Sequence, residues 1–192
     1  PRDKQFVFQA KPVLLDALRD AGVDVVSVAN NHSFDHGLDG FLETLDNVAA
    51  SGLIATGGGR DAASAYTPAY ISVDGVEVAI LGLAVIGPED DDRAVGDRPG
   101  TTNGRDLDAT IAAVRAAKQR TPVVAVFVHW GAELGKCPRA SEQTLAQHLL
   151  DAGASVVIGA LPHVLQAIDV RDGQLVAYSI GNFVFRSRSE VT

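Results

Sequence analysis

Three short apolar segments rich in valine each lead into a histidine. The segments and their histidines are Val25-Val26 with His32, Val123–Val128 with His129, and Val156-Val157 with His163. In the first and third cases the tripeptide Asp-Ala-Gly begins twelve positions before the histidine. Ligands of open α/β sheets bind beyond the carboxyl ends of the strands, so this repetition predicts a functional site at one edge of a sheet.

Helical and strand patterns alternate along the chain. Apolar residues recur at helical spacing in segments that begin near Lys11, Leu38, Leu107 and Ser141, with Ser141 as the expected N-cap of the last helix. Asp74-Gly75 and Asp172-Gly173 each separate two apolar runs, which predicts two hairpins. Alternation favours parallel strands and hairpins require antiparallel ones, so the sequence predicts an α/β fold with mixed sheets.

Composition restricts the class of protein. Of the 192 residues, 46% are hydrophobic and 21% are charged, which is typical of one globular domain, and we interpret 1–192 as a single domain. The net charge of −8, with no basic cluster, argues against a nucleic-acid partner. The apolar runs are shorter than the roughly 20 residues of a membrane-spanning helix, so no transmembrane segment is predicted.

The first residue is Pro1 and the chain contains no methionine. We therefore expect an N-terminal piece to precede it. The compartment stays open between the cell surface or extracellular space and the cytoplasm.

Several other patterns carry less weight. The segment Gly87–Asp106 has no clear periodicity, which is typical of a functional lid or a disordered loop, and we interpret its acidic run Glu89–Asp92 as a solvated loop. Thr56–Arg60 contains three glycines without the Gly-Lys-Ser/Thr ending of a nucleotide loop, so we interpret it as a flexible turn. Cys137 is interpreted as an incidental loop residue, and no Gly-x-Ser-x-Gly motif surrounds Ser179.

The three strand-end histidines are candidate metal ligands. Neutral imidazole is the commonest protein ligand of metals such as zinc, manganese and iron, so His32, His129 and His163 could share an ion. The carboxylates that follow these strands are Asp35 and Glu133. Asp35 could bind the metal, orient His32 or occupy a turn, and we favour the last two roles.

Other polar and aromatic residues adjoin these histidines. His36 is placed in the turn before the second helix, within reach of a substrate. Trp130 directly follows His129 and could line a pocket or pack on a helix; we favour the pocket. Asn182 is expected to fix the final strand, predicted over Tyr178–Phe185, and with Asn30 to contact substrate.

Four motifs resemble those of the CapA-like capsule (poly-γ-glutamate) biosynthesis proteins. Residues 29–37 read Ala-Asn-Asn-His-Ser-Phe-Asp-His-Gly, and 129–133 read His-Trp-Gly-Ala-Glu. Residues 159–166 read Gly-Ala-Leu-Pro-His-Val-Leu-Gln, and 178–183 read Tyr-Ser-Ile-Gly-Asn-Phe. The resemblance runs in order from about residue 6 to residue 185.

The resemblance implies a fold and a metal site. The family belongs to the calcineurin-like metallophosphoesterase superfamily, which implies a β-sandwich of mixed sheets flanked by helices. By the same resemblance, Asn31 and His129 would bind one divalent ion and His163 another, with manganese, zinc, iron and calcium not distinguished. One or two sites are implied. Leu161 stands where the family has the first histidine of Gly-x-His-Pro-His, so one expected ligand is absent.

The resemblance also implies an activity. His32, with Asp35, would act as acid or base in metal-dependent, hydrolase-like chemistry on an anionic peptide-like polymer, in association with capsule-synthesis machinery. Asn30, His36, Trp130, Glu133 and Asn182 would line the substrate site. Two alternatives remain open: a non-catalytic binding or assembly subunit, to which Leu161 points, and a metal-dependent peptide epimerase.

Overall fold

The computed structural model describes residue 4, residues 6–86 and residues 92–183. The elements in chain order are α1 (Val13–Asp20), β1 (Val25–Ser27), α2 (Gly37–Ala50), β2 (Ile54–Thr56), β3 (Gly58–Gly59), α3 (Ala62–Ala65), β4 (Ala69–Val73), β5 (Val76–Ala84), β6 (Gly100–Thr101), α4 (Leu107–Arg120), β7 (Val123–His129), α5 (Ala140–Asp151), β8 (Val156–Ala160), β9 (Ile168–Arg171) and β10 (Gln174–Ala177). The helices and hairpins predicted from the sequence are present.

A six-stranded mixed sheet organises the chain, with strand order β4-β5-β7-β8-β10-β9. The inner strands β5, β7, β8 and β10 are parallel, and the edge strands β4 and β9 are antiparallel to their neighbours. Asp74 and Asp172 both have φ 50°, and each is followed by a glycine with φ 81°. Two consecutive left-handed residues are typical of a type I′ turn, so the Asp-Gly pairs form the hairpins as predicted.

One face of this sheet forms the main core. In β7 the side chains of Val124, Val126 and Val128 are fully buried, and they alternate with half-buried neighbours. They pack in one cluster with residues of α4 and α5, such as Val114 and Leu149. The period of two along the strand therefore places His129 on the opposite face of the sheet, away from the two helices.

Two small sheets accompany the large one, with β1 parallel to β2 and β3 antiparallel to β6. The Thr56 hydroxyl donates to the Ile80 carbonyl (2.8 Å) and accepts from the Gly82 N–H (3.0 Å), which joins β2 to β5. Gly57 has φ 80°, and a Cβ there would lie 2.8 Å from the Gly82 carbonyl oxygen. Glycine is required here because the two backbones approach closely.

Several predicted boundaries are corrected. The glycine-rich segment is not a flexible turn, because Gly58–Gly59 pairs with Gly100–Thr101, which also supplies a strand within the expected loop. Residues 87–91 of that loop lie outside the described residues. The last helix begins at Ala140, where the Arg139 N–H donates to the Glu142 carboxylate (2.8 Å), so Ser141 is not its N-cap.

The expected final strand is also different. Residues 178–183 lie outside the named strands and make one isolated bridge, between Leu165 and Ile180. Val184 and Phe185 lie outside the described residues. Within the part of the chain that is described, no helix has the length and apolar character needed to cross a bilayer.

Candidate functional site

The three histidine-bearing segments meet at the carboxyl ends of β1, β7 and β8. His129 is the last residue of β7 and pairs in register with Ala160, the last residue of its parallel neighbour β8. The ring Nε2 of His129 lies 3.0 Å from the Oδ1 atom of Asn31, in the turn after β1. His32 and His163 are close enough for their charges to act on His129. The structure therefore places these four side chains in one region.

The imidazole of His129 is neutral at physiological pH. Burial lowers its pKa from the ordinary value of 6.5 to about 4, and the charges of His32 and His163 act in the same direction. Desolvation penalises the charged ring, and positive charge on a neighbouring imidazole would repel it. A neutral imidazole keeps a nitrogen lone pair, which is the form that binds metal ions.

His32 is held by a buried carboxylate. Its Nδ1 lies 2.7 Å from the Oδ2 of Asp35, whose side chain is 1% exposed. Burial by itself would raise the pKa of Asp35, but hydrogen bonds from the Phe8 N–H, the Lys4 ammonium and His32 lower it below its usual value. Because the carboxylate is ionised, Nδ1 of His32 carries a proton and donates it, and Nε2 is the atom that can exchange a proton with another molecule.

Local hydrogen bonds shape the turn that carries His32. The Oδ1 atom of Asn30 accepts from the His32 N–H (2.8 Å), which is an Asx turn. The Ser33 hydroxyl donates to the carbonyls of Val28 and Asn30. Asn30 therefore uses its amide oxygen within the turn, and contact with substrate stays a prediction for this residue.

The loop after β8 is fixed by contacts with two other loops. The Nδ1 atom of His163 lies 2.8 Å from Asn182 Oδ1, which leaves Nε2 as the ring atom suited to bind a ligand. The Pro162 carbonyl accepts from the Leu134 N–H (2.8 Å). Leu161 has φ 104° and His163 φ 62°. Such left-handed backbone is costly outside glycine and persists only where surrounding contacts enforce it.

The structure places three of the residues predicted to contact substrate in three different environments: the core, the exposed surface and a groove. Trp130 is 0% exposed, packs in the main core and donates from Nε1 to the Tyr178 carbonyl (2.9 Å). This corrects its expected position, because an indole buried in the core does not line a pocket. Glu133 is exposed. His36 precedes α2 and lines a groove of about 810 Å³ between that helix and residues 8–15.

Two residues at this site were missed by sequence reasoning. Lys4 and Phe8 precede α1, in a segment with neither periodicity nor a recognisable motif. Both contact Asp35, at distances of 2.9 Å. No signal in the sequence connects them to a carboxylate 31 and 27 positions away.

The side chains at the site are of types that bind divalent ions, but they are few. Asn31 supplies an amide oxygen, and His129 and His163 supply imidazole nitrogens, which suit zinc, manganese or iron. Asp35 is engaged in three hydrogen bonds, one to Oδ1 and two to Oδ2, and is not assigned as a metal ligand. Leu161 is 8% exposed and its side chain is apolar. Among residues 4, 6–86 and 92–183, no three His, Cys, Asp or Glu side chains form a metal-binding group.

Comparison with known proteins shows the family. Residues 1–187 match the family described as "Bacterial capsule synthesis protein PGA_cap". The chain belongs to this family. The predicted resemblance to CapA-like proteins of capsule and poly-glutamate biosynthesis is therefore confirmed.

Two relatives carry the name CapA. The PGA biosynthesis protein CapA of Bacillus subtilis is 34% identical over 184 residues, which cover 95% of this chain and 48% of that protein. The capsule biosynthesis protein CapA of Bacillus anthracis is 33% identical over 190 residues, which cover 95% of this chain and 45% of that protein. The chain thus spans about half the length of these relatives.

A solved structure shares the fold. The NAD nucleotidase NadN of Haemophilus influenzae superposes with a TM-score of 0.50 at 18% sequence identity, over 78% of this chain and 26% of that chain. At this identity the likeness concerns the fold alone. The shared fold is mixed α/β, with helices flanking a mixed sheet, as the sequence predicts.

Proposed function

We propose that this chain of the CapA family carries out metal-dependent, hydrolase-like chemistry on an anionic, peptide-like polymer such as poly-γ-glutamate. The observation that carries the proposal is the pair formed by His32 and Asp35, 2.7 Å apart, beside the neutral ring of His129. A buried, ionised carboxylate that holds an imidazole by Nδ1 is an arrangement suited to acid–base catalysis.

His32 would supply or remove the proton. In hydrolysis of an amide, the oxygen of water adds to the carbonyl carbon and loses a proton, the C–N bond breaks and the leaving nitrogen gains a proton. With Nδ1 committed to Asp35, the Nε2 atom of His32 would take the proton of the water and then deliver it to the leaving nitrogen. Asp35 would act through the ring, holding its tautomer and orientation.

A divalent ion would be held by Asn31, His129 and His163. The 3.0 Å approach of Asn31 Oδ1 to His129 Nε2 supports the first two, and the Asn182 contact that orients His163 supports the third. When bound, such an ion supplies Lewis-acid polarisation of the attacked carbonyl. Further ligands would have to complete its coordination, because the three side chains leave positions open.

The test measures polymer cleavage with and without metal. The chain is stripped with chelator, reloaded separately with manganese and zinc, and incubated with poly-γ-glutamate while new amine ends are counted. We expect metal-stimulated cleavage that falls about 10²- to 10⁴-fold in His32→Gln. His148→Gln, which changes an exposed histidine of α5, is the matched control.

Two results would contradict hydrolysis. One is equal cleavage by the wild type and His32→Gln, and the other is the absence of metal-stimulated cleavage by the wild type. Uptake of solvent deuterium at Cα without cleavage would instead indicate a peptide epimerase.

A second candidate is a non-catalytic binding or assembly subunit on the same fold. The specific observation in its favour is Leu161, a buried apolar side chain in the loop that carries His163. On this proposal the wild type binds poly-γ-glutamate in calorimetry equally well with and without metal and does not cleave it. Leu161→His would then raise zinc affinity, since it would restore a ligand; no gain would argue against this candidate.

A further inference from the structure

We propose that Lys4 and Phe8, here named the N-terminal clamp, are positioning residues that fix the ring of His32 through Asp35. The inference rests on the proposed function, because it assigns these residues a part in proton transfer by His32. It concerns a segment that none of the motifs includes. Four contacts carry it, two from each residue of the clamp.

Lys4 links the two ends of the turn that holds His32. Its Nζ atom lies 2.9 Å from Asp35 Oδ1 and 2.7 Å from the Asn31 carbonyl oxygen. The lysine side chain is 31% exposed, whereas that of Asp35 is 1% exposed. A single ammonium group thus neutralises a buried carboxylate and also restrains the backbone of Asn31. A charge-assisted hydrogen bond of this kind is stronger than a neutral one.

Phe8 acts on the other carboxylate oxygen and on the ring itself. Its backbone N–H donates to Asp35 Oδ2 (2.9 Å), the same oxygen that accepts from His32 Nδ1. Its aromatic ring meets the imidazole edge to face, with centroids 4.4 Å apart and planes at 80°. Edge-to-face contact is a favoured geometry, and it limits rotation of the His32 ring.

Together these contacts hold the carboxylate of Asp35 in a single orientation. If Asp35 bonded only to His32, its side chain could rotate and either oxygen could face Nδ1. With Lys4 on one oxygen and Phe8 on the other, rotation would break hydrogen bonds at both. Because proton transfer requires close alignment of donor and acceptor, a fixed carboxylate aims Nε2 of His32 in one direction.

The decisive experiment follows the His32 Nδ1–H proton by NMR at one pH. The protein is labelled with ¹⁵N-histidine, and the signal is assigned by its loss in His32→Gln. We expect a sharp, downfield resonance in the wild type, its broadening or loss in Lys4→Met and its recovery in Lys4→Arg. Lys11→Met, at an exposed lysine of the same N-terminal segment, is the matched control and should resemble the wild type.

Kinetics supply a second readout. We expect kcat on poly-γ-glutamate to fall about tenfold or more in Lys4→Met with KM nearly unchanged, as when a group that orients a functional side chain is removed. A wild-type resonance together with wild-type kcat in Lys4→Met would overturn the clamp. If the wild type cleaves no polymer, the proposed hydrolysis fails, and the NMR result alone decides whether the clamp exists.

A second variant, Phe8→Leu, tests the clamp even if Lys4→Met alters the fold. It keeps the backbone N–H donor and removes the aromatic contact. We expect the carbon-bound ring protons of His32 to lose the shift caused by the neighbouring aromatic ring and the Nδ1–H signal to broaden. Unchanged signals would mean that Phe8 does not restrain the imidazole, and the clamp would be overturned.

Discussion

The side chains of Asn31 and His129 meet at 3.0 Å although they are 98 positions apart in the chain. Asn31 follows β1 of a two-stranded sheet, and His129 ends β7 of the six-stranded sheet. Their contact therefore depends on how the two sheets dock. The buried hydroxyl of Thr56, which bonds to both Ile80 and Gly82, is one of the links that hold them together.

Asp35→Asn should impair catalysis without removing the imidazole. An amide can present an N–H to Nδ1 of His32, which would favour the tautomer with its proton on Nε2, and it does not stabilise the cationic ring. We expect kcat on poly-γ-glutamate to fall at least about 10²-fold. We also expect a lower thermal stability, because an amide N–H that faces His32 deprives the Phe8 N–H of its acceptor. Steady-state kinetics and calorimetry on the same preparation check both expectations. Wild-type kcat would mean that Asp35 does not act through His32.

The buried imidazole of His129 should make stability depend on pH. Its pKa is about 4 in the folded protein against an ordinary 6.5, so between these values the unfolded chain binds more protons. The stabilisation is fully present above pH 6.5 and is lost as the pH falls towards 4, by up to about 3 kcal/mol. Urea unfolding in the presence of chelator gives the free energy of unfolding at several pH values. Between pH 4 and 6.5 this free energy should rise with pH in the wild type, and it should rise less steeply in His129→Gln. Parallel curves for the two proteins would contradict the shift.

Asn182→Ala should weaken metal binding through His163. The amide oxygen lies 2.8 Å from His163 Nδ1, and its loss removes a contact that orients the ring. Removal of such an orienting partner typically costs about 10- to 100-fold in metal affinity. Competition with a chromogenic zinc chelator measures the change, and His163→Ala gives the value for complete loss of the ligand. If Asn182→Ala binds zinc as tightly as the wild type, His163 is not a ligand oriented by Asn182.

Gly159→Ala should destabilise the core beneath the site. A Cβ at this position would collide with the Tyr178 carbonyl and with Nε1 of Trp130, which are hydrogen-bonded to each other. Overpacking of a dense core typically costs about 1–3 kcal/mol. Urea denaturation should show a lower free energy of unfolding of that size. A change below about 0.5 kcal/mol, as at an ordinary surface position, would show that the backbone shifts without cost.

Local patterns predicted much of the fold and the place of the site. The valine-rich runs specify β7 and β8, and the Asp-Gly pairs specify both hairpins, because periodicity and turn chemistry act over only a few residues. Parallel strands end at the same edge, so His129 and His163 could be placed near each other from the sequence. The four motifs added Asn31 and indicated the family.

Tertiary packing decided the rest. Trp130 was expected beside a substrate, yet it lies in the core, because the residue after a strand can turn to either side of the sheet. The clamp of Lys4 and Phe8 on Asp35 has no sequence signal, since any lysine and any backbone N–H can bind a carboxylate. The periodicity of the chain specifies the strands, the turns and the sheet edge at which the histidines lie. Docking of distant segments determines which atoms meet at that edge, because those contacts depend on shape and burial over the whole molecule.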